Sequence, residues 1–96
     1  MHHTEACIPT QSASRYLQQL CKHWSHKFEV SFTPETGIVP FGEGRACTLI
    51  ADAEGLTLRV EAQDANSAAR LGGVVFEHLQ RFAHREELTA PEWRAV

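Results

Sequence analysis

Arg15-Tyr16-Leu17-Gln18-Gln19-Leu20-Cys21-Lys22-His23-Trp24-Ser25-His26-Lys27-Phe28 is the stretch on which the fold turns. Leu17, Leu20, Cys21, Trp24 and Phe28 recur at i, i+3, i+4, i+7 and i+11, the spacing that lines one face of a helix. Immediately afterwards Phe28-Glu29-Val30-Ser31-Phe32 changes period. Phe28, Val30 and Phe32 now fall on one side and Glu29 and Ser31 on the other, which predicts a half-buried strand. A helix with one apolar face that gives way to a one-sided strand calls for a layer of helix on sheet.

Working upstream, Thr10 and Ser12 offer hydroxyls to the first helical turn, and the helix is expected to run to about His26. Ala6, Cys7 and Ile8 end at Pro9 and read as a short first strand at a sheet edge, where proline is tolerated. Met1-His2-His3 reads as a frayed terminus. With a free Met1 amine, His3 can complete a square-planar nitrogen site for Cu(II) or Ni(II), a minor alternative to a solvated tail.

Downstream, Thr33-Pro34-Glu35-Thr36-Gly37 has the composition of a turn that returns the chain antiparallel. Ile38 to Phe41 forms the return strand, and Pro40 places it at an edge or a bulge. Gly42-Glu43-Gly44 reverses the chain again into Arg45 to Ala51. Ala53-Glu54-Gly55 leads to Leu56 to Ala62, where Leu56, Leu58, Val60 and Ala62 alternate cleanly with Thr57, Arg59 and Glu61. Asp64 is the expected cap of a second helix over about 65–84, with Ala68, Leu71, Val75, Leu79 and Phe82 on its apolar face. Gly72 and Gly73 interrupt it and imply the close approach of another backbone, from the sheet or the first helix. Leu88 to Val96 is a tail in which Trp93 anchors over the edge of the core.

The result is a single α+β domain over 1–96, in the order β-α-β-β-β-β-α. Its mainly antiparallel sheet has four to five strands, and both helices cover one face. The order matches half of the TATA-binding-protein fold, a likeness of topology alone. The other face, with Glu29, Ser31, Thr57, Arg59 and Glu61, is left to solvent or to a second copy of the chain.

Charge and composition narrow the partners. The net charge is −3 and the nine Lys and Arg residues are scattered, so no footprint for nucleic acid is present. No apolar run approaches the roughly 20 residues that span a bilayer, and no signal-peptide pattern is visible, so a cytoplasmic address is expected. Three cysteines, Cys7, Cys21 and Cys47, suit reduced thiols better than a disulfide framework. There is no P-loop, GxGxxG, GxSxG, HExxH or CxxC, so no motif names a cofactor or a chemistry.

What the packing does not use lies on the helix flanks. Tyr16, Gln19, His23 and His26 form a polar stripe beside the apolar face of the first helix. His23 and His26, at i and i+3, can share a metal ion whose remaining ligands must come from His78, Cys21 or a carboxylate. The alternative is a solvated helix edge. Cys21 reads as a small buried hydrophobe, since neither Lys22 nor His23 is aimed by the helix to activate its thiol. Val74, His78, Arg81 and Arg85 form a second stripe, part of which serves ion pairing with Glu77. If the two flanks face each other, Tyr16, His23, Lys27, His78, Arg81 and Arg85 make a cationic pocket for a carboxylate, phosphate or catecholate oxygen.

With RYLQQLCKHWSHKF at 15–28, FTPETGIVPF at 32–41, LTLRVEA at 56–62 and HLQRFAHREEL at 78–88, the chain resembles the bacterial family filed as domain of unknown function 2218. His84 departs from that resemblance, which would place an apolar residue there. The resemblance implies a small α+β domain with no catalytic residues to carry over. It adds weight to Cys21, Lys22, His23, Trp24, His26 and Lys27, which stand in the family's helical motif. It also implies a supporting role beside siderophore-interacting flavin reductases. The leading expectation is thus a non-enzymatic binding or accessory domain for an iron species, a siderophore or a reductase partner. A structural homodimer and a small enzyme using Cys21 or a histidine are the alternatives.

Overall fold

Period-two alternation and short turns predict one antiparallel sheet, and the chain forms it. The computed structural model describes residues 1–96 as β1 (His2–Ile8), α1 (Ala13–Trp24), β2 (Ser31–Phe32), β3 (Thr36–Gly42), β4 (Arg45–Ala51), β5 (Leu56–Ala62), α2 (Ala65–Phe82) and β6 (Arg94–Ala95). All six strands join one sheet in the order β2-β3-β4-β5-β1-β6, every pairing antiparallel. The sixth strand is the part of the tail that pairs Ala95 with Thr4 and Arg94 with Glu5.

Several expectations change here, the number of strands, six rather than four to five, among them. First, β1 begins at His2 and pairs with β5 along its whole length, His2 opposite Ala62 through Ile8 opposite Leu56. The two histidines are therefore strand residues and not a frayed end. The His3 ring meets Glu61 at 2.9 Å, which occupies the imidazole that a square-planar site would need. Second, only Ser31 and Phe32 of the predicted 28–32 strand enter the ladder. The amides of Lys27 and Phe28 both turn back to the Trp24 carbonyl, at 3.0 and 2.8 Å, so the chain is still unwinding from the helix where the alternation begins. Phe28 and Val30 nevertheless pack against the core. Third, α1 stops at Trp24 rather than His26: Ser25 Oγ donates to the Lys22 carbonyl at 2.7 Å, competing with continuation of the helix.

Pro40 lies at a bulge, where the β3–β4 register shifts between Pro40 and Gly42. It also guards an edge. The Thr36 carbonyl accepts from Thr33 on the β2 side, so the main-chain groups of Ile38 and Pro40, two and four residues on, point the same way. Beyond Ile38 no β2 residue covers them, and Pro40 has no N–H to offer an incoming strand. The β3–β4 hairpin closes on Glu43 and Gly44, whose φ values of 56° and 75° are both positive, the pattern of tight hairpins that match strand twist.

Both helices lie on one face. From α1, Tyr16, Leu17, Leu20, Cys21 and Trp24 are buried; from α2, Ala68, Leu71, Gly72, Val75 and Leu79. The sheet supplies Ile8, Val39, Cys47, Leu49, Leu56, Leu58 and Val60. Each fully buried Leu, Ile or Val contributes about 1.5–3 kcal/mol through loss of apolar contact with water. Asp64 caps α2 as expected, its carboxylate accepting from the Ser67 amide at 2.7 Å. Ser12 makes no side-chain cap; the Thr10 hydroxyl instead accepts from the Ser12 amide at 3.1 Å. Gly72 is approached by a side chain and not by a backbone: a Cβ there would lie 3.0 Å from the Trp93 indole, whereas one on Gly73 would meet nothing within 4 Å.

Candidate ligand-binding cleft

Tyr16, near the start of α1, reaches Glu86 just past the end of α2. His23, near the end of α1, meets His78 and Phe82 of α2. The helices are therefore antiparallel, and the His23 flank does face the His78 flank. Where they meet, a cleft of about 420 Å³ opens, lined by His23, Trp24, His26, Lys27, Phe28, Phe41, Val74 and His78.

Its floor is an aromatic cluster produced by the apolar pattern itself. Trp24 is the last core residue of α1, Phe28 follows one turn later, and Phe41 ends the inward-facing set of β3. Phe41 stands edge-to-face against both, at 5.2 Å and 80° to Trp24 and 5.0 Å and 64° to Phe28, a favourable arrangement of ring quadrupoles. The His78 ring also packs near Trp24, with ring centroids 5.3 Å apart, and is 5.3 Å from His23. Val74 completes the wall one turn before His78 and is 42% exposed.

The polar atoms of the cleft are basic. His78 Nδ1 lies 2.8 Å from the Val74 carbonyl; a carbonyl only accepts, so Nδ1 carries the proton and Nε2 is the free atom of the neutral ring. Lys27 Nζ stands 5.8 Å from the Phe28 ring centre. None of His23, His26, Lys27 or His78 belongs to any of the chain's three ion pairs, and no carboxylate lines the cleft. In a chain with twelve acidic residues against nine Lys and Arg, the one formally charged side chain of the cleft, Lys27, is positive.

The other residues predicted for the site lie elsewhere. Tyr16 is in the core rather than on a polar edge, its hydroxyl donating to Glu86 at 2.5 Å. Burial, then the Glu86 carboxylate, pushes its phenol pKa up. Cys21 is fully buried, its sulfur packed where a Cβ on Gly37 would come within 2.6 Å. Burial raises its thiol to about 11, the reverse of what a nucleophile needs. Arg81 pairs with Glu77 at 2.9 Å in solvent, and Arg85 is exposed and outside the cleft. His26 lines the cleft, but the ring that His23 meets is that of His78. No group of three or more His, Cys, Asp and Glu side chains is placed to hold a metal ion. Phe28 and Phe41 line the cleft without being expected there, because each reads as an ordinary apolar position of a core face, and Val74 was expected only as a member of the second stripe; the signal was Phe41 falling beside Phe28 once the hairpin is folded.

No helix is long and apolar enough to cross a membrane. Among solved structures, the chain is similar to PA4090 from Pseudomonas aeruginosa, determined by NMR: the two are 40% identical, the match covers 98% of this chain and 96% of that one, and the TM-score is 0.79. No curated protein matches the chain. The model of the family described as "uncharacterized protein conserved in bacteria" (DUF2218) matches residues 5–94, and with nearly the whole chain so covered, this protein belongs to that family.

Proposed function

We propose that this chain is a non-enzymatic binding or accessory domain whose anionic ligand enters the cleft between the end of α1 and the middle of α2. The observation that supports this is the set of four basic side chains, His23, His26, Lys27 and His78, gathered over an aromatic floor with no carboxylate among the lining residues. An anionic ligand would pair with the Lys27 ammonium, which belongs to no ion pair of the chain, and accept from whichever imidazole N–H groups face it. The sequence resemblance suggests an iron-loaded siderophore as that ligand and a flavin reductase as the partner. Two imidazoles offer a bare metal ion too few ligands for tight binding, so the metal is expected to bind weakly by itself. Calorimetric titration with an iron-loaded siderophore, Fe(III) and Zn(II) tests the reading. Binding that falls in His23→Ala and His78→Ala supports it. Absence of binding to the wild type, or binding indifferent to both substitutions, overturns it.

A second reading is a homodimer through the open sheet face. Ile38 is 52% exposed on that face, in register with Thr48, next to the Pro40–Ala46 and Thr36–Ile50 pairs, so the β3–β4 half carries no charge. Light scattering at high micromolar concentration checks it: a monomer removes this reading, and a dimer that dissociates in Ile38→Lys supports it.

A further inference from the structure

We infer that the cleft selects a planar aromatic acid, a ring bearing a carboxylate or comparable anionic oxygen, over aliphatic or inorganic anions. The inference rests on the cleft being an anion site and concerns what else the anion must carry.

A site for a small inorganic anion needs donors and little more; extra apolar wall only desolvates it. This cleft has the opposite balance. Half its lining, Trp24, Phe28, Phe41 and Val74, is hydrophobic, and Val74 is among the few large apolar side chains that the protein leaves exposed. The imidazoles extend the apolar wall as flat rings: His78 is tilted 42° to Trp24 and 47° to His23, so three rings from two helices present faces and edges to one space. Aromatic side chains favour a partner ring offset-stacked or edge-on, with centroids about 4.5–7 Å away, and the spacings already present within the cluster fall in that range. The volume of about 420 Å³ suits one or two fused rings, at the small end of the roughly 300–1,000 Å³ of small-molecule sites. With the ring against Trp24, Phe28 and Val74, its anionic group would lie at the rim, where Lys27 and His23 have no competing carboxylate.

The test compares benzoate with cyclohexanecarboxylate, which share charge and carbon count and differ in planarity and π-face, with inorganic phosphate as a third probe. Titrations are followed by ¹H–¹⁵N NMR of the wild-type chain. The indole N–H of Trp24 reports the cleft, and that of Trp93, packed on Gly72, is an internal control. Benzoate is expected to bind about fivefold tighter than cyclohexanecarboxylate, shifting Trp24 and not Trp93, and to weaken in Lys27→Ala, a substitution at an exposed position. If cyclohexanecarboxylate or phosphate binds at Trp24 as tightly as benzoate, the aromatic preference is overturned while the anion site stands. If none of the three moves Trp24 and the siderophore titration is also blank, both readings fall.

Discussion

Gly72 and Gly73 are adjacent in the chain and opposite in circumstance. A methyl on Gly72 would meet the Trp93 ring at 3.0 Å, and one on Gly73 would meet nothing. Since Ala is favoured over Gly inside a helix by about 1 kcal/mol, Gly73→Ala should stabilise the chain by about 0.5–1 kcal/mol. Gly72→Ala should destabilise it by about 1–3 kcal/mol, the cost of crowding a packed site. Urea denaturation of the two variants checks the pair; equal effects in the same direction would remove the distinction. The cysteines divide in the same manner. Cys7 is exposed on the open sheet face, while Cys21 and Cys47 are buried. Burial raises Cys21 to about 11, and Cys47 higher still, with Cys21 adding to it. At pH 8 a thiol reagent should modify Cys7 alone in the native chain and reach the other two only on unfolding. Rapid native labelling of Cys21 would contradict the core placement.

At the scale of elements, Tyr16 and Glu86 tie the start of α1 to the chain leaving α2. The hydrogen bond from Tyr16, followed by one from Thr10, holds the Glu86 carboxyl below the usual carboxylate range. A carboxyl lowered in the fold lends stability that is present above its unfolded value and is lost as pH falls through its folded one. Tyr16→Phe should therefore destabilise the chain by about 1–2 kcal/mol at pH 7. The difference from wild type should shrink as the pH falls from the ordinary carboxylate value of the unfolded chain through the lowered value of Glu86 in the fold. Denaturation midpoints from pH 3 to 7 measure it; a difference that does not change with pH would show that the hydroxyl's loss acts through packing alone. The same residue shows where sequence reading ran short. Helix and strand positions followed directly from period, because burial on one side imposes it. Tyr16 sits at the border of the apolar stripe, where a hydroxylated ring can turn to either side, and its partner comes from 70 residues away. The meeting of His23 with His78 was legible only as a condition, since a helical wheel gives the flanks of each helix but not which flank turns toward its neighbour. The short β2 was lost for another reason: alternation marks which side chains are buried, and Phe28 and Val30 are partly buried without any ladder.

For the molecule as a whole, α2 is held from two sides. Val74 and His78 belong to the cleft against α1, while Gly72, two positions before Val74 and so about 200° around the helix, receives Trp93. The indole is carried there by the strand pairing of Arg94 and Ala95 with β1. The Thr4 hydroxyl, donating to the Arg94 carbonyl at 3.1 Å, and the Val96 amide, donating to the His3 carbonyl at 3.0 Å, complete the attachment. The two ends of the chain thus brace one another, and the wedge between them and α2 is a single half-buried ring. Trp93→Ala should cost about 2–3 kcal/mol, below the value for a fully buried tryptophan. Because the site is shared, the cost should not add to that of Gly72→Ala. In the Trp93→Ala background the Gly72 methyl enters emptied space, so Gly72→Ala should change from destabilising to neutral or slightly stabilising, as helix propensity alone dictates. A double-mutant cycle by urea denaturation measures that reversal. If Gly72→Ala costs the same with and without the indole, the glycine is present for some constraint other than Trp93, and the bracing of the helix by the tail is wrong.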